Sequence, residues 1–358
     1  GGWIQKTKNL KQTGNAWVYD NALVFGNAQV SDNARITGDA LVSGNARISG
    51  YAHVSGSACV SGNACVCDNA RISGNAHVGS DALVFDNAKV SDNAKVSGDA
   101  WVFGNASVSD NACVFDYAWI SGNAHVDGHT KVFGDICVSE NAHISGNAWV
   151  YEAARVSGNA YVCGNARVCD EAKVAGNARV CGDDCASEKA QAWVYNDALV
   201  FDNARVCDNA RVSDNARISK NARVSDNAQV CGKTRVFDHA QVSGNAKVSG
   251  NVRIYGNSHV SGNTWISGTT WVSDNARVCG NARVSGHVLI CGNAQVTDNV
   301  RISNNVLISD NARISDNARV SDDAQVSGNA SVSGNARIGG DVHIFGNAQV
   351  FDKNIIQQ

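Results

Sequence analysis

Valine or isoleucine recurs at every sixth position through almost the whole of this 358-residue chain. From Ala16 onward the sequence divides into hexads that approximate the form Ala-x-Val-y-(Gly/Asp)-Asn, as in the segment Ala28–Asn33. Every hexad from 16 to 183 and from 192 to 353 carries Val or Ile in its third slot. A strict short period predicts a solenoid, in which each unit buries its apolar side only against its neighbours.

The hexad itself predicts a short strand followed by a corner. Ala and Val lie two positions apart, so on an extended strand they point to one side, and the x and y residues point to the other. Gly or Asp followed by Asn tolerates the left-handed backbone conformation that a sharp corner needs. The expected fold is therefore an all-β polygonal coil with a narrow interior of methyl groups.

Outward residues that match at longer spacing predict the number of sides. Leu23 and Leu41 are 18 positions apart, as are Trp101 and Trp119, and three hexads make 18 residues. A two-sided coil of 12 residues would instead place Trp101 against Cys113. Three sides fit these pairs better, so we expect about 18–19 coils. At one strand spacing of ~4.8 Å per coil, they would form a rod about 90 Å long.

The hexad resembles the [Leu/Ile/Val]-x-x-x-[small]-x repeat of left-handed parallel β-helix proteins, the hexapeptide-repeat superfamily, over almost the whole chain. A second resemblance lies at the start of the sequence. Gly2-Trp3-Ile4, Asn9-Leu10 and the segment from Gln12 to Asp20 are similar to the opening of YdcK-like bacterial β-helix proteins. The left hand of the coil and a bacterial origin are what these resemblances imply.

The rhythm breaks once, near the middle of the chain. Val180 and Val194 are 14 positions apart where two hexads would need 12. After the break, 192–201 nearly repeats 16–25, which indicates a duplicated module, with local convergence as the alternative. The predicted organisation is an N-terminal segment (1–15), a first β-helix module (16–183), an irregular coil with a two-residue insertion (184–191), a second module (192–353) and a short C-terminal tail (354–358).

Composition narrows the choice of partner and compartment. Charge is nearly balanced, with 30 Lys and Arg against 33 Asp and Glu, which argues against a nucleic-acid partner. No apolar run approaches the ~18 residues of a membrane span. The 13 cysteines replace polar outward residues, and unpaired cysteines in this number favour the cytoplasm. Because the chain contains no methionine, we expect a segment before Gly1, and an extracellular location stays open.

The strongest surface signal is a set of large apolar residues in outward slots. Exposed aromatic clusters usually mark a contact, so packing between copies of the chain or against a partner protein is the preferred interpretation. Aromatic ladders that only stiffen the solenoid and a carbohydrate platform are the alternatives. The predicted set comprises Leu83, Phe85, Trp101, Phe103 and Trp119 on one face, with Phe115, Phe133, Trp149 and Tyr151 along the adjoining corner.

The superfamily resemblance raises acyltransferase and zinc chemistry. His125 and His143 should stack, but His129 lies a full strand away, so a third zinc ligand is missing. An acyltransferase of this superfamily would need a catalytic histidine near a protruding loop, and no insertion longer than two residues interrupts the hexads. We therefore assign no catalytic or metal residue and expect no cofactor. Cys163 and Cys181 should stack as free thiols, because adjacent parallel strands orient them poorly for a disulfide.

These observations favour a non-enzymatic structural or interaction solenoid that associates with itself. The more specific hypothesis is that the molecules join end to end into fibres. Open strand edges at the end of a solenoid invite pairing unless they are capped. Ile355 and Ile356 in the tail could complete a strand that joins the next molecule. The alternatives are a trimeric acyltransferase of the hexapeptide type and a sugar-binding or adhesin rod.

Overall fold

Strands of mostly two residues, separated by sharp corners, make up almost the whole structure. The computed structural model describes residues 1–169, 171–182, 185–186, 192–200, 202, 204–351 and 355–357. Its strands pair in parallel, in most cases with the strand that begins 18 residues later, as Trp101 does with Trp119. The protein is therefore the predicted three-sided parallel β-solenoid, with about 19 turns in all.

The chain divides into two compact units, residues 1–177 and 178–358. Unit 1 contains one 3₁₀ helix, Thr7–Asn9, and three parallel sheets, which we call 1A, 1B and 1C. Sheet 1A comprises Trp3–Ile4, Leu23–Val24, Leu41–Val42, Cys59–Val60, His77–Val78, Lys95–Val96, Cys113–Phe115, Lys131–Gly134, Trp149–Glu152 and Arg167–Val168. Sheet 1B comprises Leu10–Gly14, Gln29–Asp32, Arg47–Ile48, Cys65–Val66, Leu83–Val84, Trp101–Val102, Trp119–Ile120, Cys137–Val138, Arg155–Val156 and Lys173–Val174. Sheet 1C comprises Trp17–Val18, Arg35–Ile36, His53–Val54, Arg71–Ile72, Lys89–Val90, Ser107–Val108, His125–Val126, His143–Ile144 and Tyr161–Gly164.

Unit 2 has the same construction, with sheets 2A, 2B and 2C. Sheet 2A comprises Cys185–Ala186, Arg205–Val206, Arg223–Val224, Gln241–Val242, His259–Val260, Arg277–Val278, Gln295–Val296, Arg313–Ile314, Ser331–Val332 and Gln349–Val350. Sheet 2B comprises Trp193–Val194, Arg211–Val212, Gln229–Val230, Lys247–Val248, Trp265–Ile266, Arg283–Val284, Arg301–Ile302, Arg319–Val320, Arg337–Gly339 and Ile355–Gln357. Sheet 2C comprises Arg179–Gly182, Leu199–Val200, Arg217–Ile218, Arg235–Val236, Arg253–Ile254, Trp271–Val272, His287–Ile290, Asn305–Ile308, Gln325–Val326 and His343–Ile344.

The core consists of the Ala and Val slots of the hexad, as predicted. Ala100 and Val102 show the rule, since both are 0% exposed while their strand neighbours reach solvent. A few coils place a hydroxyl in the alanine slot. Thr234 donates its hydroxyl to the carbonyl of Cys231 at 2.7 Å, three residues earlier in the same coil. The buried hydroxyl of Ser258 has no such partner, so it destabilises the interior of its coil.

The corners explain why Gly and Asp share one slot. Residues in this slot have positive φ, for example Gly128 at 69° and Asp226 at 59°. Aspartate tolerates this conformation and also acts through its carboxylate. Oδ2 of Asp226 accepts the backbone N–H of Gly244, in the corner one coil later, at 2.7 Å. The aspartate corners thus tie successive coils together through the backbone.

The asparagine slot forms a second set of ties between coils. Nδ2 of Asn263 donates to Oδ1 of Asn281 at 3.1 Å, and Nδ2 of Asn281 donates to Oδ1 of Asn299 at 3.0 Å. Because every side-chain amide has both a donor and an acceptor, the same residue can repeat along the corner without leaving either group unmatched. This ladder accounts for the preference for Asn over other polar residues at this slot.

Near the middle of the chain the pairing distance changes. Arg179 pairs with Leu199 and Cys185 with Arg205, both 20 positions apart, whereas Trp193 pairs with Arg211, 18 apart. Apart from 185–186, the predicted irregular coil (184–191) lies outside the described residues. In the tail, strand Ile355–Gln357 pairs with Arg337–Gly339, and residues 354 and 358 are outside the description.

Candidate interaction surface

Five of the predicted surface residues form two parallel ladders on sheet 1B. Register places Leu83 against Trp101 and Trp101 against Trp119. The two indoles stack with ring centroids 5.1 Å apart and planes 6° from parallel. Phe85 and Phe103 stack beside them at 5.0 Å, and Phe103 meets Trp119 edge to face at 6.4 Å. The predicted stacking is present because outward residues 18 positions apart lie side by side on neighbouring strands.

The other four predicted residues lie on sheet 1A. Phe115 and Phe133 stack at 4.9 Å, and Phe133 and Tyr151 stack at 5.3 Å. Trp149 meets Phe133 edge to face at 6.5 Å. The ammonium of Lys131 lies 4.3 Å from the centroid of the Trp149 ring, close enough for a cation–π interaction. Trp149 is therefore partly covered by a cationic side chain.

One corner of the solenoid separates the aromatic residues of sheet 1A from those of sheet 1B. Phe115 ends a strand of sheet 1A, Trp119 begins the next strand on sheet 1B, and the corner between them contains Tyr117. Tyr117 is 61% exposed, more than Trp119 at 46% or Trp149 at 37%. Sequence reasoning missed this residue. The available signal was a tyrosine in a slot that other hexads give to Asn. We call the nine predicted residues together with Tyr117 the aromatic surface.

The predicted histidine pair is engaged with its neighbours. The rings of His125 and His143 lie 5.9 Å apart and are tilted by 60°. Nε2 of His143 and Oδ2 of Asp127 are 2.7 Å apart, and the ring of Tyr161 meets His143 edge to face at 4.8 Å. Over the described part of the chain, no group of three or more His, Cys, Asp or Glu side chains is placed to hold a metal ion.

The cysteines differ from one another in environment. Among the cysteines that the structure describes, ten are free thiols, but Cys163 and Cys181 are disulfide-bonded, so the expectation of free thiols at these two residues was wrong. Cys65 and Cys67 occupy the two outward slots of one hexad. A hydrogen bond from the Cys67 thiol lowers the pKa of Cys65 to about 7, and burial of Cys207 raises its pKa to about 11.

Comparison with known families agrees with this geometry. Residues 28–43, 40–56, 204–219 and 216–232 match the YdcK β-solenoid repeat. These matches and the parallel three-sided coils support a left-handed parallel β-helix family. Residues 234–337 of this β-helix also match the bactofilin family, described as polymer-forming cytoskeletal. No curated protein matches the sequence.

The solved structures that the chain matches include two acyltransferases. UDP-N-acetylglucosamine acyltransferase from Arabidopsis shares 11% identity over 87% of this chain and 68% of its own, with a TM-score of 0.16. The Campylobacter jejuni enzyme of the same name shares 15% identity over 68% of this chain and 67% of its own, with a TM-score of 0.14. Similarity this low carries no argument about activity. Within the described residues of the β-helix, no helix is both long and apolar enough to span a membrane.

Proposed function

We propose that this β-helix is a non-enzymatic structural protein of the cytoplasm that associates with copies of itself. The observation that carries the proposal is the match of residues 234–337 to a polymer-forming cytoskeletal family. Regular parallel coils support it, since a solenoid presents long repetitive faces to a second molecule. Ten of the described cysteines are free thiols, which supports a reducing compartment, although Cys163 and Cys181 are disulfide-bonded.

The aromatic surface is the proposed lateral contact in this association. Stacking within the ladders covers the ring faces, as for Trp101 and Trp119 at 5.1 Å, and leaves mainly the ring edges toward solvent. A sugar-binding platform needs an open ring face, so this arrangement gives less support to the carbohydrate alternative. Protein surfaces readily pack against aromatic edges and against the exposed phenol of Tyr117.

The strand Ile355–Gln357 is the proposed end-to-end contact. It pairs on one side with Arg337–Gly339, and its opposite edge has no partner among the described residues. A parallel strand from another molecule would find unpaired N–H and C=O groups there. Fibres formed in this way would continue the solenoid from one chain to the next.

Sedimentation velocity and negative-stain microscopy at increasing protein concentration test the proposal. We expect the sedimentation coefficient to rise with concentration and extended assemblies to become visible. Trp119→Ala should weaken the association, whereas Trp265→Ala, which truncates an equally exposed tryptophan of unit 2, should not. A chain that stays monomeric at every concentration, or equal effects of the two substitutions, would contradict the proposal. A trimer that binds acetyl-coenzyme A would instead favour the acyltransferase alternative.

A further inference from the structure

Sheet 2C carries an open groove that the aromatic surface does not involve. Two of its strands, His287–Ile290 and Asn305–Ile308, are four residues long and pair in register along their whole length. Val288 and Val306 occupy slots that most hexads give to Ala, and each is 2% exposed. The straightened strands leave a groove of about 760 Å³ lined by Leu289 and Leu307, which continues into a second one of about 370 Å³ beside Trp271.

The floor of this groove is apolar along three successive coils. Trp271 pairs with Leu289, and Leu289 pairs with Leu307. Trp271 is 40% exposed, and the two leucines are half-buried. A ladder of polar residues at the adjoining corner forms one wall. The hydroxyl of Thr269 is hydrogen-bonded to Nδ1 of His287, and Asn305 donates from Nδ2 to Oδ1 of Asp323 at 3.2 Å.

The two ends of the groove carry opposite charges. At one end the guanidinium of Arg253 lies 4.7 Å from the centroid of the Trp271 ring, which holds it at the rim. At the other end Asp323 and Asp341 line the groove, and both are exposed. The basic group therefore precedes the apolar floor along the solenoid, and the acidic pair follows it.

When a second copy of the chain lies antiparallel to the first, the basic end of each groove faces the acidic end of the other. Leu289 and Leu307 occupy adjacent coils, and a two-fold axis can pass between them, parallel to the strands. Rotation about this axis brings sheet 2C of a second copy face to face with sheet 2C of the first. The coils of the two copies then follow one another in opposite directions. Counting coils from that axis places Arg253 of one copy opposite the coil of Asp341 in the other. Leu289 of each copy then meets Leu307 of the other at the centre, Trp271 faces the coil of Gln325, and both charged pairs lie at the rim.

We propose that this groove of sheet 2C binds the same groove of a second copy, antiparallel, around a two-fold axis between Leu289 and Leu307. The proposal rests on the proposed self-association and adds a lateral dimer through unit 2. An apolar centre with complementary charges at its rim is the usual anatomy of a specific protein interface. The pairing is isologous, so each dimer contains the Arg253–Asp341 contact twice.

Charge exchange between the two rim positions tests this geometry in solution. Full-length variants would be made in a Trp119→Ala background, so that the aromatic surface does not contribute to the dimer. Arg253→Asp alone and Asp341→Arg alone each place two like-charge pairs at the interface, and each should raise the dimer Kd by about 100-fold. Arg283→Asp, the same charge reversal at an exposed residue of sheet 2B, should leave the Kd unchanged.

Mixing the two weakened variants gives the decisive measurement. A heterodimer of Arg253→Asp with Asp341→Arg contains one Asp–Arg pair and one Arg–Asp pair, so the equimolar mixture should regain the parent affinity. Sedimentation velocity measures the dimer, and circular dichroism of each variant checks that it is folded. Single variants that dimerise like the parent, or a mixture that stays monomeric, would overturn the antiparallel pairing. If the unmodified chain itself never associates, the proposed function fails as well.

Discussion

Substitution of Asp226 measures what an aspartate corner contributes to stability. This residue has a φ of 59°, and its carboxylate accepts the N–H of Gly244 at 2.7 Å. Removal of an exposed hydrogen bond of this kind costs about 1 kcal/mol. Alanine in the left-handed region costs about 1 kcal/mol more, because it lacks the short polar side chain with which aspartate offsets the crowding of Cβ against the following carbonyl. Asp226→Ala should therefore reduce the free energy of unfolding by about 2 kcal/mol.

Two further substitutions at this corner separate the hydrogen bond from the backbone conformation. Asp226→Gly should cost about 1 kcal/mol, the contribution of the lost hydrogen bond. Glycine adopts the left-handed conformation more easily than aspartate, but it also has more conformational freedom in the unfolded chain, and these two effects on stability offset each other. Asp226→Asn keeps an acceptor oxygen and a side chain that tolerates positive φ, so it should cost less than about 0.5 kcal/mol. The expected order of stability is Asn above Gly above Ala.

Urea unfolding followed by far-ultraviolet circular dichroism measures these differences, and hydrogen exchange by mass spectrometry reports on the Gly244 amide. Asp116→Ala is the matched control. Asp116 also has positive φ, at 59°, but its carboxylate has no hydrogen-bond partner among the described residues. The control should cost about 1 kcal/mol, from backbone conformation alone. If Asp226→Ala costs no more than the control, the carboxylate does not tie the coils together. If it costs no more than Asp226→Gly, the left-handed conformation of this corner carries no penalty for alanine.

Three further predictions address the core, the ladders and the thiols. Ser258→Ala removes a buried hydroxyl without a partner, so it should raise the free energy of unfolding by about 1 kcal/mol in the same urea assay, and a loss of stability would contradict the structure. Trp101→Ala and Trp119→Ala should be coupled by about 1 kcal/mol in a double-mutant cycle, because the indoles stack, and strict additivity would refute the contact. Cys65 should react with iodoacetamide at a rate that rises with pH and is half-maximal near pH 7, because the thiolate is the nucleophile and its pKa is about 7. A Cys65 rate that keeps rising to pH 9, as for an ordinary thiol, would exclude the hydrogen bond from Cys67.

The interior of this protein was predictable because the residue types within each hexad indicate which of its side chains are buried. Ala100 and Val102 point inward by the alternation of a strand, and their neighbours point outward, whatever the rest of the chain does. Matching residues 18 positions apart, such as Trp101 and Trp119, were enough to identify three sides. The stacking partners of most outward residues then follow by counting, and the exceptions lie where the hexad rhythm is interrupted, as at Arg179 and Leu199.

The period of the repeat does not predict which residues on different sides of a corner come into contact. Tyr117 belongs to the aromatic surface because the backbone turns between Phe115 and Trp119, and the asparagine slot that it occupies does not by itself indicate a contact with the aromatic residues on either side. The disulfide state of Cys163 and Cys181 was also mispredicted, because it depends on side-chain orientation and not on spacing.

The sequence by itself thus determined the core, the corners, the three sides and the register of the β-helix, because these follow from local alternation and a constant period. Only the tertiary structure decided which outward residues form surfaces. The groove of sheet 2C lies where the strands His287–Ile290 and Asn305–Ile308 extend to four residues, and its charges oppose each other across several coils. Such features depend on the path of the backbone through space, which a repeat of six residues does not encode.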